Sequence, residues 1–373
     1  MISKRRLIFR ADGNSRMGLG HVVRCGALAE SIGPSYEKIF YTRCNIPGII
    51  EDAEQHFNRI VILNEEESVE SEIESICSEI TEDDILVMDG DHFKENYQRP
   101  FRQTGAAIVC IDDIHSYRFL SDIVINSAGG ISPLDYDTLP QTQFYLGPEY
   151  TLLRKVFLEK ANSRKTNLTN KKIFLCLGGA DPDNKTLETL QFIDALKMFE
   201  EVRIVVGGGY QYKDELESYI KFNRINAVVK SSLNANEMAD EMMNCYYAVC
   251  SPSTVCFEYM TLGGILFLQQ IAANQDDMIS FLTTEKLAFN LNQAGTTSEE
   301  EEKNSLEKQA KIFDGKAGER LKKIFERAFI FKNIVARKAN GSDTLRCYEW
   351  VNDPQVREQS YNSNSIPFSD HEK

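Results

Sequence analysis

The feature that most constrains this chain is a double series of short apolar runs, each followed by glycines, small residues or a stretch with helical spacing. The first series passes through R-L-I-F-R, K-I-F-Y-T, R-I-V-I-L, D-I-L-V-M-D, A-I-V-C-I-D and D-I-V-I-N, ending near Asn126. The second begins at Lys172 with K-I-F-L-C-L and continues through V-R-I-V-V, A-V-V-K, Y-A-V-C and I-L-F-L. Apolar runs alternating with helices predict mainly parallel sheets covered by helices, an α/β fold whose ligand groups lie just past the carboxyl ends of strands. Asp89, Asp112, Asp113 and Asn126 stand at such ends. Two Rossmann-like units in tandem bind one ligand in the cleft between them. The polar stretch from Glu159 to Asn170 reads as the linker.

Length and composition set further bounds. A chain of 373 residues predicts two domains and part of a third. The formal net charge of −14 argues against nucleic acid or an anionic membrane as partner, so an anionic ligand has to be met by local positive groups. The N-terminus lacks the apolar core of a signal peptide, and no stretch approaches a membrane span. Nine cysteines without a C-x-x-C pair read as reduced packing residues of a cytoplasmic protein. The five histidines show no pairing at ligand spacing. Asp112, Asp113 and His115 are better read as loop or ligand-bonding residues than as a metal cluster, and no metal is expected.

The segment R-A-D-G-N-S-R-M-G-L-G-H-V-V-R-C, residues 10–25, concentrates chemistry at one strand-to-helix turn. Gly18 and Gly20 let backbone approach a ligand, and the N–H groups of the new helix favour anions. Asp12, His21 and Arg24 add more than a phosphate site needs, which points to catalysis. Val23 replaces the third glycine of G-x-G-x-x-G, so a nicotinamide cofactor is not expected.

In the second half, Gly178 and Gly179 in G-G-A-D-P-D-N-K-T resemble a diphosphate cradle, with Asp183 or Asn184 capping the next helix. Gly207, Gly208 and Gly209 offer a turn for a base ring. In C-S-P-S-T-V-C-F-E, Ser251 is the expected cap with Pro252 in the first helical position, and Ser253 and Thr254 offer hydroxyls and N–H groups to a phosphate. Glu258, one turn below Thr254, suits the two hydroxyls of a ribose. Asn274 and Gln275 open another helix facing the same cleft. The glutamate run at 299 to 302 reads as solvated surface.

With these motifs, joined by I-D-D after a strand and L-G-P-E-Y-T-L-L-R-K-V-F at 146–157, the chain over about residues 5 to 290 resembles the UDP-2,4-diacetamido-2,4,6-trideoxy-β-L-altropyranose hydrolases of pseudaminic acid biosynthesis. The resemblance implies a GT-B fold, two Rossmann-like domains facing a cleft, related to the glycosyltransferase that makes lipid II. It divides the chain into 1–158 (sugar side), 171–335 (UDP side) and 342–373. It implies that His21 acts as base on the attacking water, its protonation disfavoured by the helix N-terminus. Gly18 and Gly20 would line the sugar-phosphate side, while Ser253, Thr254 and Glu258 would hold UDP, with no metal or other cofactor. One departure stands out: D-G-D-H-F keeps Asp89 but puts Asp91 where the family often has a tyrosine; Asp89 and Asp91 are both expected at the substrate, with His92 near the sugar as the alternative to Asp91. The tail from Asp343 to Lys373 resembles the opening of a GNAT-type N-acetyltransferase without its acetyl-CoA loop, which implies a longer bifunctional protein. The competing readings are a GT-B glycosyltransferase and a non-catalytic sugar-nucleotide-binding module.

Overall fold

The computed structural model describes residues 5–14, 17–163, 170–179, 181–272, 275–332, 340–358 and 364–371. Seven parallel strands form the first sheet: β1 (Arg6–Ala11), β2 (Glu37–Thr42), β3 (Arg59–Ile62), β4 (Ile85–Asp89), β5 (Ala107–Ile111), β6 (Ile123–Asn126) and β7 (Gln143–Leu146). Their order is β3-β2-β1-β4-β5-β6-β7, so the direction of winding reverses between β1 and β4. Leu7, Ile8 and Phe9 of β1 are fully buried, as a strand covered on both faces requires. Helix α1 (Gly20–Ile32) follows β1 and buries Val22, Cys25, Ala29 and Ile32 along the stripe that the spacing predicted. Helices α2 (Pro47–Glu54), α3 (Val69–Glu79) and α4 (Glu95–Gln103) complete the cover. β7, hidden inside the Q-F-Y-L-G-P stretch, was not among the predicted strands.

After α5 (Lys155–Lys160) the second sheet begins. It contains β8 (Lys172–Cys176), β9 (Glu201–Val206), β10 (Ala227–Ser231), β11 (Tyr247–Cys250), β12 (Ile265–Leu268) and the short β13 (Phe289–Asn290). The order β10-β9-β8-β11-β12-β13 repeats the reversal, here between β8 and β11. Helices α6 (Lys185–Leu196), α7 (Lys213–Asn223), α8 (Ala235–Met243), α9 (Thr254–Leu262), α10 (Asp276–Thr284) and α11 (Glu299–Ile312) alternate with or follow the strands. The glutamate run forms the first turn of α11, where Ser298 accepts from Glu301 N and the acidic groups complement the helix dipole. The expected linker is helical at its start, because α5 continues into a short 3₁₀ turn over Ala161–Ser163.

Helix α12 (Ala317–Lys332) reaches the first sheet's layer again. A Cβ placed on Gly318 would lie 3.1 Å from Ser31 Oγ of α1, and Arg320 donates to the Glu149 carbonyl oxygen at 3.3 Å. Residues 1–328 form one compact unit and 329–373 a second. The second contains α13 (Thr344–Val351), α14 (Pro354–Glu358) and α15 (Phe368–His371). Within it Asn352 exchanges hydrogen bonds with the Ile366 backbone at 2.7 and 3.1 Å, and Tyr348 packs edge-on against Phe368. Among the described residues, no helix is long and apolar enough to cross a membrane.

Candidate functional site

The winding reversal between β1 and β4 opens a crevice at the carboxyl end of the first sheet, the place where such folds hold ligands. Just past β1, Asn14 and Gly18 exchange two backbone hydrogen bonds of 3.2 and 2.9 Å, closing a tight loop. Gly18 sits at φ +89°, a conformation that strains any side chain. The loop delivers the chain to Gly20, whose Cβ position faces open space, and to His21 in the first turn of α1.

His21 does not stand alone. Its Nδ1 lies 2.7 Å from Oδ1 of Asp89, the last residue of β4, which is completely buried. Arg24, one turn further along α1, binds Asp89 through Nε at 3.1 Å and Nη2 at 2.7 Å. The same guanidinium meets Asp113, just past β5, with Nη1 and Nη2 each at 2.7 Å. Burial opposes the charged imidazolium, yet the Asp89 carboxylate outweighs it and the His21 pKa lies above the usual imidazole value. The helix N-terminus therefore does not govern His21, contrary to expectation, because the carboxylate is in direct contact with the ring. Asp113 is held below the usual carboxylate range: burial pushes it up, and Arg24 more than offsets that. Arg24 is thus spoken for by two carboxylates rather than free for a phosphate.

A cleft runs from this cluster to the second sheet. On the first side it is lined by Met17, Gly20, His21, Arg24, Asp113, Ser127 and Ala128, and along the connection by Thr151 and Leu152. Pro252, Ser253, Thr254, Phe257, Gln275, Asp277 and Met278 face them from the second domain. The fold thus brings six of the predicted site residues to one cavity: Gly20, His21, Arg24, Ser253, Thr254 and Gln275. Asp89 supports two of them from below. Asp113, expected only as a strand-end residue open to a ligand, joins them, while Ser127 and Thr151 carry no signal in the sequence beyond the Y-T-L-L motif.

Several predicted residues do something else. Asp12 is built into the floor of the first domain, where Arg10 grips its carboxylate, Arg43 N donates to it at 2.7 Å and His92 Nε2 lies 3.0 Å away. Arg10 continues to Glu72 at 2.7 Å, which also binds Arg43 and the Tyr97 hydroxyl. Burial works against the Asp12 charge, but His92 and Arg10 hold its pKa far below the usual range. His92, expected near the sugar, is thereby turned toward Asp12. Asp91 is partly buried and does not line the cleft; its pKa is raised, first by burial and then by the nearby Asp113 charge. Asp112 and Asn126 pair with each other at 3.2 Å and share the Tyr136 hydroxyl, so they tie loops together rather than await a ligand.

In the second domain, Glu258 is only 3% exposed, and both its oxygens are taken by Arg154, at 2.8 and 2.9 Å. Glu258, expected to meet a ribose, is thus an ion-pair partner in this structure and does not line the cleft. Gly178 and Gly179 lie outside the cleft lining. Gly178 has φ +107°, and a Cβ on Gly207 would fall 2.2 Å from the Gly179 carbonyl oxygen. Gly207 thus serves a close backbone-to-backbone contact with Gly179. Helix α6 is capped by Asp181, which accepts from Lys185 N and Thr186 N at 2.8 and 2.7 Å, rather than by Asp183 or Asn184. Helix α9 begins at Thr254 with Ser253 at the cap, two residues later than expected, while Ser251 Oγ lies 3.0 Å from Ser253 Oγ. Gln275 accepts from Ile271 N at 2.9 Å and so fixes the loop before α10. Asn274 lies outside the described residues.

The chain matches no protein-family model. In sequence it is similar to an uncharacterised protein of Methanocaldococcus jannaschii, 26% identical over 261 residues, 68% of this chain and 53% of that one. The chain therefore spans about half the length of that relative. It is 24% identical over 258 residues to the spore coat polysaccharide biosynthesis protein SpsG of Bacillus subtilis, covering 68% of this chain and 74% of SpsG. It is 22% identical over 281 residues to the UDP-2,4-diacetamido-2,4,6-trideoxy-β-L-altropyranose hydrolase of Campylobacter jejuni, covering 74% and 96% of the two chains. Among solved structures, MurG of Acinetobacter baumannii superposes with a TM-score of 0.56 at 13% identity, covering 86% of this chain and 99% of that one. A UDP-N-acetylglucosamine 2-epimerase does so with a TM-score of 0.56 at 10% identity, covering 91% and 100%. The fold is GT-B, two Rossmann-like domains facing a cleft.

Proposed function

We propose that this chain hydrolyses a UDP-linked 2,4-diacetamido-2,4,6-trideoxyhexose to UDP and the free sugar. The observation that carries the reading is the His21–Asp89 pair on one wall of a cleft whose other wall is the start of α9. A histidine oriented by a buried carboxylate is the arrangement general-base catalysis needs. Helix N–H groups and two hydroxyls opposite it suit a diphosphate leaving group. The distant similarity to the Campylobacter hydrolase supplies the substrate class.

In this mechanism Nε2 of His21 takes a proton from water as the water oxygen bonds to the anomeric carbon. The bond from that carbon to the phosphate oxygen breaks, and its electron pair leaves with UDP, where the Ser253 and Thr254 groups meet the charge. Asp89 holds the Nδ1 proton and stabilises the imidazolium. Attack opposite the leaving group inverts the anomeric centre.

The test is turnover of several UDP-linked diacetamidohexoses in ¹⁸O-water with no acceptor present. The expected result is the label in the sugar, none in UDP, and an initial product of inverted anomeric configuration. Label in UDP would overturn attack at the anomeric carbon, and release only on addition of a sugar or lipid acceptor would mark a glycosyltransferase.

A further inference from the structure

Counting hydrogens around Arg24 assigns a role to Asp113. The Nη2 nitrogen of Arg24 carries two N–H bonds and has three neighbours within hydrogen-bonding distance. They are Asp89 Oδ1 at 2.7 Å, Asp113 Oδ2 at 2.7 Å and His21 Nδ1 at 2.9 Å. The two carboxylates use both hydrogens. Nη2 then has nothing left to give the imidazole, so His21 Nδ1 is itself the donor, to Asp89 Oδ1 at 2.7 Å. A ring that donates from Nδ1 keeps its lone pair on Nε2.

We infer that Asp113 is a positioning residue that sets the tautomer of His21 by occupying the second Nη2 hydrogen of Arg24. Without Asp113, that hydrogen is freed on a nitrogen 2.9 Å from Nδ1 and competes with Asp89 for it. An imidazole that accepts at Nδ1 carries its proton on Nε2 and is no base there. The charged groups acting on His21 are Asp89 at the end of β4, Arg24 on α1, Asp113 past β5 and Asp91 past β4. Asp113 itself lines the cleft with its side chain about a quarter exposed, so its removal opens no large void in the core.

The inference rests on His21 being the base, but its test needs no substrate. ¹⁵N spectra of the ligand-free protein, followed through a pH titration to the plateau at which the His21 ring has lost its charge, distinguish a protonated Nδ1 from a protonated Nε2. The His21 signals are identified among the five histidines by their loss in His21→Gln. Wild type is expected to show protonated Nδ1 and bare Nε2. In Asp113→Ala the Nε2–H form should become the major one, about nine-tenths of the neutral ring, Asp113→Glu should restore the wild-type pattern, and kcat for UDP release should fall about tenfold at little-changed KM. Asp113→Asn, which keeps the side-chain volume and one acceptor oxygen, should lie between. An unchanged His21 tautomer in folded Asp113→Ala would overturn the inference. Absence of UDP release by wild type would instead overturn the hydrolase reading and leave the tautomer result standing.

Discussion

At the scale of single residues, the site turns on a buried carboxylate that does not itself line the cleft. Asp89 is fully buried beneath His21 and Arg24, so its side chain orients the imidazole that the proposed mechanism uses as base. Asp89→Asn keeps the shape but no longer requires a donor at Nδ1. Turnover is expected to fall by about three to four orders of magnitude with UDP affinity nearly unchanged, measured by steady-state kinetics and calorimetry. The raised His21 pKa gives the pH dependence its sign. A higher pKa keeps the ring protonated to higher pH, and only the neutral ring is a base. Activity should therefore rise with pH through a limb above roughly 6.5, and Asp89→Asn should move that limb downward. Sequence made His21, Asp89 and Arg24 visible as chemistry at strand ends. It did not show that they belong together, because residues 21, 89 and 113 meet only once β1, β4 and β5 lie side by side.

At the scale of elements, α9 joins the two halves of the account. Its first turn carries Ser253 and Thr254 to the cleft, while Glu258 one turn later is locked to Arg154 from the end of the first domain. Removing one member of so buried a pair leaves the other charge uncompensated. Glu258→Ala is expected to cost about 3 kcal/mol of stability, read as a lowered denaturation midpoint, and Arg154→Met with Glu258→Leu should recover much of it. The apolar spacing of α1 and the strand runs were legible because burial leaves a periodic trace. A partner 104 positions away leaves none, so Glu258 read as a ribose ligand. The Gly179–Gly207 contact was equally hidden, since a glycine needed for close approach looks like one needed for a turn. Gly207→Ala must push the Gly179 backbone aside and should destabilise the second domain by about 1–3 kcal/mol, measured by chemical denaturation.

At the scale of the whole molecule, the cleft depends on how the two sheets face each other. Phe281 of α10 packs on Gly129 so closely that a Cβ there would lie 2.3 Å from the ring. His115 Nε2 approaches Asp277 Oδ2 at 3.9 Å across the same seam. Gly129→Ala should hold the domains apart and weaken UDP-sugar affinity about tenfold, and adding Phe281→Ala should restore much of it, both read by calorimetry. The tandem α/β organisation could be read from two series of apolar runs. The seam could not, because its contacts join glycines and side chains that are unremarkable in their own segments. Whether His21 activates water against a UDP-linked sugar is decided by comparing UDP release by wild type and His21→Ala without acceptor, alongside UDP binding to both. His21→Ala is expected to lose turnover by at least about a thousandfold with UDP affinity retained; comparable turnover in the variant would rule out His21 as the base.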